Sequence, residues 1–473
     1  MTIRPYNRIT VQPYKPHKQM NKDIIVIGAG LTGLTTAFHA KRQGKDVLVI
    51  ERDDVPGGQM RSHREGEYIF ESGPSTGVVS NAEVAELFEA LHGDVEMDVA
   101  RPSSKCRLIW KGNKFHPLPS GLKSAVTTPL FTLKDKFRIL GEPWRKRGTD
   151  PNEKVGEMTR RRLGKSFLDY AVDPFLSGVY AGDPMMLPTR VALPKLYNLE
   201  QNYGSFIRGS IAKAKMPKTE RDRKATKQIF SAKGGFGSLI AALVKHVGNE
   251  NIALSASNTT VTPTADGLFE VKYTDASGNA VSLTAKKVVT TCGAYALPDI
   301  LPFIPADEMR KISSLVYAPV IQIGVGIKDV ERHHYKAFGA LIPSKEKKDV
   351  LGILFPSACF AGRSPEAGET LAFFIGGIRH PEMLEWSDER LIKLVNESMH
   401  TLLKYSESVK PDCIRIYRHR HAIPQYQESS DKRYATIDDI QRRYPGLIIA
   451  GNLRGGIGMA DRIKQGTEIG SEA

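Results

Sequence analysis

Residues 23–51, DIIVIGAGLTGLTTAFHAKRQGKDVLVIE, constrain the fold more than any other stretch of this chain. The apolar run at 24–27 has the length of a strand buried on both faces. Gly28, Gly30 and Gly33 follow in the spacing GxGxxG, with Ala29, Leu31 and Thr32 between them. The pattern predicts a helix over 31–43, stopped at Gly44. A second apolar run, 47–50, ends in Glu51 and Arg52. Each part has a physical task. Gly28 permits the tight turn, Gly30 lets backbone N–H groups approach a pyrophosphate, and Gly33 lets helix and strand pack closely. The helix N-terminus adds partial positive charge. A carboxylate at Glu51 holds the hydroxyls of a ribose. Strand, glycine turn, helix, strand and terminal acid together are the fingerprint of a dinucleotide site and predict an α/β fold with a Rossmann-like unit.

The chain has 473 residues, enough for two or three domains. No run approaches the ~18 apolar residues that span a bilayer. Residues 1–22 carry Arg4, Arg8, Lys15, Lys18 and Lys22 without an apolar core, so they read as a basic tail rather than a secretory signal. Cys106, Cys292, Cys359 and Cys413 lie far apart, with neither metal-ligand nor disulfide spacing. That usage suits a reducing compartment, and we expect a cytoplasmic protein, peripheral on the inner face of a membrane. The net charge of +15 is concentrated. Residues 101–230 hold 27 Lys and Arg against 11 Asp and Glu, an excess of 16. Such a segment suits an anionic membrane or a polyanionic substrate. No nucleic-acid recognition motif accompanies it.

Farther along, Gly57 and Gly58 again allow backbone to approach a ligand, with Gln59 after them. Residues 66–76 alternate as a strand and break at Gly73-Pro74, before Ser75 and Thr76. A helix is expected at 83–91, a hairpin at 106–121, mainly helix over 133–211 and a charged linker at 213–228. A glycine turn leads into a helix within 230–247. Strands are expected at 259–263, 268–274 and 281–291, with Val261 at an edge where backbone meets an adenine. Residues 316–378 read as a second, mixed sheet, and 391–403 as an amphipathic helix. Residues 447–466 repeat the opening logic: a buried strand, then Gly451 and Asn452, then a helix from near Gly458, flanked by Ile457 and Met459.

The motifs SGVYAGDP (177–184), LEQNYGSFIRG (199–209), FSAKGGFGSL (230–239), FGALIPSKE (338–346), LGILFPSACFAGRSP (351–365), AIPQY (422–426) and AGNLRGGIGMAD (450–461) resemble those of the oxygen-dependent protoporphyrinogen oxidases. These belong to the amine-oxidase-like FAD superfamily, and the resemblance covers 23–470. It implies a discontinuous FAD-binding domain (23–91, 213–301 and 421–473), a helical basic membrane-facing domain (92–212) and a mixed-sheet substrate domain (302–420). It implies FAD held by Gly28 to Gly33, Glu51, Arg52, Gly57, Gly58, Gln59, Gly73 to Thr76, Val261, His419, Gly451, Asn452, Ile457, Gly458 and Met459. The helix from Gly458 would aim its N-terminus at the flavin ring or ribityl chain.

The implied reaction removes six electrons from a porphyrinogen, oxygen giving hydrogen peroxide. The flavin carries the chemistry, with no metal and no catalytic side chain. The resemblance places Arg107 on a substrate propionate, Leu341 and Leu354 around one pyrrole ring, and Phe374 stacked on another. Ala181 and Gly182 form the backbone wall. On the residues alone, a Leu or Phe in a strand is more often plain core. Three departures stand out. Gln59 replaces a basic residue, with Arg61 as a substitute. Ser75 and Thr76 replace Asn or Lys. His419 replaces Trp and either faces the flavin or pairs with an acid. Expected partners are the porphyrinogen, oxygen, an anionic membrane and a second copy of the chain. The competing readings are coproporphyrinogen III as substrate, an amine oxidase or carotenoid-type desaturase, and a non-catalytic porphyrin carrier.

Overall fold

The computed structural model describes residues 21–472, so the basic tail lies outside the described residues except for its last two. Three separated stretches of chain build the first sheet. Its order is Ile252–Ala253, Val47–Ile50, Asn21–Ile27, Ala280–Thr290, Phe269–Thr274, Ser257–Pro263. Leu447–Ile449 pairs in parallel with the far end of Ala280–Thr290, beyond the part used by Phe269–Thr274. The short apolar strands are buried because both faces are covered. Leu31–Arg42 and Phe236–Val247 pack on one face; residues from 294 to 315 and Ser430–Arg443 pack on the other. Register puts Ile50, Ile27, Thr290 and Ile449 in one row at the carboxyl ends of the parallel strands. The loops that follow them therefore open on one crevice, where such sheets bind ligands.

The second sheet runs Cys413–Pro424, Tyr317–Ile327, Glu369–Gly376, Gly352–Leu354, Gly339–Leu341, Arg107–Lys111, Lys114–Pro117. One face is sealed by Asp388–Thr401 over a core that includes Trp110, Ile323, Phe373 and Leu391. The hairpin, grouped by sequence with the helical segment 92–212, pairs instead with this sheet, Arg107–Lys111 lying parallel to Gly339–Leu341. Likewise Cys413–Pro424 crosses the expected boundary at 420 without a break.

Between the hairpin and residue 215 the chain is helical, as its pattern suggests. Its centre is ionic. Arg162 is fully buried and pairs with Glu142 and with Glu200, the latter at 2.6 Å. Glu142 also accepts from the N–H groups of Phe206 (2.9 Å) and Ile207 (3.2 Å), so it holds the start of helix Phe206–Lys215. The stretch expected as a charged linker is docked. Arg221 pairs with Glu83 and Glu86 at 2.9 Å, and Lys224 with Glu89 at 2.7 Å, all on helix Ala82–Ala90. Among the described residues no helix is long and apolar enough to cross a membrane.

Candidate active site

The crevice at the strand ends is lined by glycines for steric reasons. Gly28 has φ +107°, and a Cβ on Gly33 would lie 1.9 Å from Gly28 O. A Cβ on Gly30 would meet nothing within 4 Å, so open space stands before the N-terminus of Leu31–Arg42. That helix has no side-chain cap and no acid in its first turn. Its first bond runs from Leu34 N–H to Gly30 O (2.9 Å), which leaves the amides of Leu31, Thr32 and Gly33 for a ligand. This is the donor set a diphosphate requires.

Glu51 stands beside it. Its carboxylate accepts from Ala29 N–H at 2.6 Å and Asp53 N–H at 2.9 Å, while burial pushes its pKa above the ordinary range. Arg52 is exposed at the rim. Gly57 donates to Ala29 O at 2.8 Å, and a Cβ on Gly58 would lie 3.4 Å from Gly30 Cα, so this loop lies on the first turn. Gln59 bridges outward, its Nε2 donating to His421 O (3.2 Å) and Ala422 O (3.3 Å). Arg61 pairs with Asp53. Gly73 packs on Gln59 O, leading into half-buried Pro74, buried Ser75 and half-buried Thr76. His419 reaches Ser72 O through Nε2, so its partner is a backbone carbonyl rather than an acid.

The distant C-terminal glycines complete the same crevice. Thr291 Oγ1 donates to Ile27 O and Gly28 O, each at 3.1 Å, and a Cβ on Gly451 would lie 2.8 Å from Thr291 O. Thr291, missed from sequence, thus stitches the two glycine motifs together. Tyr426 donates to Asn452 O at 2.7 Å. Ile457 packs on the core, and Gly458 starts the helix Met459–Ser471 with Met459 buried. That helix lies on Leu31–Arg42 through Gly466 and Gly470, where a Cβ would come within 2.7 and 2.4 Å of Thr32 O and Thr36 O. Val261 packs in the same apolar core as Ile27, Ile50 and Ala253. It is buried on the edge strand, while residues 253–256 meet Glu51 and Asp53.

The other face of the second sheet is set by register. Directly paired residues share a face. Arg107 pairs with Gly339, which pairs with Leu354, which pairs with Ala372. One row over, Ile109, Leu341, Gly352, Phe374, Gln322 and Tyr417 stand side by side. Arg107, Leu341, Leu354 and Phe374 therefore line one surface, and His419, paired with Val320, lies at its far end. Helix Asp173–Tyr180 covers this surface: a Cβ on Gly178 would lie 2.4 Å from Leu341 Cδ2. The helix ends at Ala181, left-handed at φ 48°. Ala181 O accepts from Ile378 N–H at 2.8 Å, and Gln425 Nε2 donates to Tyr180 O at 2.9 Å. Arg379 ties the loop to the helix start, reaching Asp183 at 2.9 Å and Asp173 at 2.7 Å. Ala181 is thus held in place and packs with Phe374.

A glycine cradle shaped for a diphosphate, beside a second sheet with an apolar face, suits a dinucleotide-dependent oxidoreductase fold. The profile of the flavin-containing amine oxidoreductases matches residues 31–462, and the chain belongs to that family. It is 30% identical to protoporphyrinogen oxidase 2, chloroplastic/mitochondrial, of Arabidopsis thaliana, over 94% of this chain and 92% of that protein. It is 26% identical to coproporphyrinogen III oxidase of Staphylococcus aureus, over 96% and 99%. A crystal structure from Exiguobacterium sp. 255-15 superposes with a TM-score of 0.78 at 21% identity, covering 97% of this chain and 99% of that one. The cofactor of the family is FAD, and the free helix amides, open space at Gly30 and buried Glu51 fit it.

Proposed function

We propose that this flavoprotein oxidises a porphyrinogen to the porphyrin, with protoporphyrinogen IX as substrate and oxygen as acceptor. The supporting observation is the single surface that carries Arg107, Leu341, Leu354 and Phe374 in register, closed by Ala181 and Gly182. A porphyrinogen is a broad apolar macrocycle with carboxylates at its rim, so it needs an apolar slot and a cation at one end. Phe374 stacks on one pyrrole, Leu341 and Leu354 hold another, and Arg107 binds a propionate. The Ala181–Gly182 wall excludes water and fixes the meso carbons toward the glycine crevice. Bound FAD, with its diphosphate on the amides of Leu31 to Gly33 and its adenosine on Glu51, supplies hydride acceptance from a meso carbon. Pyrrole protons leave to water. Overall, the substrate gives up six hydrogens and three oxygen molecules become three hydrogen peroxides.

The helical segment 122–215 is the membrane-facing part of this reading. Val126, Leu133, Phe137, Leu140 and Trp144 are each 68–77% exposed and stand among Lys134, Lys146 and Arg147. An exposed apolar cluster of this kind inside a basic segment suits an anionic bilayer surface.

The test is an aerobic assay of the FAD-loaded protein offered protoporphyrinogen IX and coproporphyrinogen III side by side. Porphyrin fluorescence should grow with stoichiometric hydrogen peroxide, faster from protoporphyrinogen IX. Faster growth from coproporphyrinogen III would reassign the substrate, and growth from neither would end the oxidase reading.

A further inference from the structure

The strand Tyr317–Ile327 reads YAPVIQIGVGI, with a single amide, Gln322, in its apolar run. Gln322 is only 2% exposed, and a buried amide is costly unless its polar atoms are paired. Its Nε2 donates to Glu71 O at 2.7 Å and lies 3.4 Å from Ser75 Oγ. A carbonyl oxygen only accepts, so the nitrogen must be on that side and Oε1 on the other. Oε1 accepts from nothing among the described residues, and unlike Thr370 Oγ1 and the Tyr417 hydroxyl it is not a fully enclosed unpaired atom. It is an acceptor left open.

Its position gives this meaning. Gln322 is paired directly with Phe374, and side chains opposed in this way have Cβ atoms ~4.5–5.5 Å apart. On its other side it is bonded to the turn that carries Gly73, Pro74, Ser75 and Thr76. Gln322 thus stands between the ring-stacking residue and the turn assigned to the flavin. It therefore offers a fixed polar atom beside the place where an apolar disc would lie over Phe374.

We propose that Gln322 is a substrate-binding residue whose Oε1 accepts hydrogen bonds from pyrrole N–H groups of the bound porphyrinogen. The assignment rests on the function proposed above. The chemistry carries a preference. A porphyrinogen has four pyrrole N–H groups on a flexible, puckered ring that can turn them toward an acceptor. The porphyrin product keeps two, held in the plane of a rigid macrocycle. Gln322 therefore favours substrate over product and helps release the porphyrin.

The test compares the FAD-loaded wild type with Gln322→Met and Gln322→Glu. Methionine keeps the length and removes the acceptor. A buried, protonated glutamic acid donates its O–H to Glu71 O and keeps a carbonyl acceptor. We expect Gln322→Met to raise KM for the porphyrinogen about tenfold, the loss of one hydrogen bond in a desolvated site. The product's dissociation constant, read by porphyrin fluorescence, and the flavin absorbance should stay within about twofold. Gln322→Glu should restore KM. An unchanged KM in Gln322→Met with an active wild type overturns the role of Gln322 and leaves the porphyrinogen reading intact. Loss of flavin, equal weakening of substrate and product, or failure of Gln322→Glu to restore KM also overturns it, since each marks a purely structural amide. A wild type inactive on both porphyrinogens overturns both proposals.

Discussion

Arg107, proposed above to bind a substrate carboxylate, is exposed and holds its guanidinium 5.6 Å from the Phe338 ring centroid. A cation in that place can hold a substrate carboxylate without the cost of full burial. Arg107→Ala should raise KM by about tenfold or more, from a charge-assisted contact worth ~1.5–3 kcal/mol, with kcat little changed. Steady-state kinetics decide it, and an unaltered KM removes Arg107 from the site. Glu71 offers a different experiment. It is buried, accepts from Ser62 Oγ (2.8 Å) and Phe236 N–H (3.0 Å), and faces Arg363 at 3.2 Å. Burial outweighs these partners and raises its pKa to about 7. A carboxyl whose pKa is raised on folding stabilises the fold fully below its unfolded pKa of 4.5 and loses that contribution as pH climbs to about 7. The span is ~3 kcal/mol. Urea unfolding of wild type and Glu71→Gln at pH 4.5, 6 and 7.5 should show the difference shifting in favour of glutamine as pH rises. A difference independent of pH would mean that Glu71 keeps one protonation state throughout.

At the scale of elements, what could be read from sequence was local. The opening strand, glycine turn and helix are legible because GxGxxG answers steric demands within six residues; the predicted helix 31–43 is observed as Leu31–Arg42. The apolar strands of both sheets were legible for the same reason. Pairing between distant segments was not. Nothing near 107 says that the hairpin will extend a sheet whose nearest strand is Gly339–Leu341, and Thr291 looks like an ordinary strand end until Gly28 and Gly451 close on it. Gln322 left a signal, a lone amide in an apolar run, but its meaning needed the Glu71–Ser75 turn beside it. The charged helical segment concealed its centre too, because Arg162 is indistinguishable in sequence from its exposed neighbours. Arg162→Met would leave Glu142 buried without its guanidinium and should destabilise the segment by about 3–5 kcal/mol. Urea unfolding measures this. A change below about 1 kcal/mol, the scale of an exposed pair, would show that the network is not what holds the helices together.

At the scale of the whole molecule, the excess of 16 positive charges in residues 101–230 slightly exceeds the net charge of the chain, so the rest is nearly neutral. The same segment carries the exposed ridge of Leu133, Phe137, Leu140 and Trp144. Lys136 is turned inward, donating to Thr128 O at 2.6 Å, and Arg138 to Arg161 O at 2.6 Å, which fixes helix Leu133–Leu140 with its apolar side out. Full burial of a large apolar side chain yields about 1.5–3 kcal/mol, and shallow insertion only part of that. Each cation near an anionic surface adds ~1 kcal/mol. In the membrane-facing reading proposed above the two terms act together, and only the second is screened by salt. The protein should therefore co-sediment with vesicles rich in anionic lipid at low salt. It should bind neutral vesicles weakly and be released from the anionic ones near 1 M salt, where the Debye length is about 3 Å. Phe137→Glu with Trp144→Glu should abolish binding even at low salt while the flavin absorbance is retained, because both side chains lie far outside any core. Wild-type protein that stays in the supernatant with anionic vesicles at low salt would leave the ridge without a membrane role.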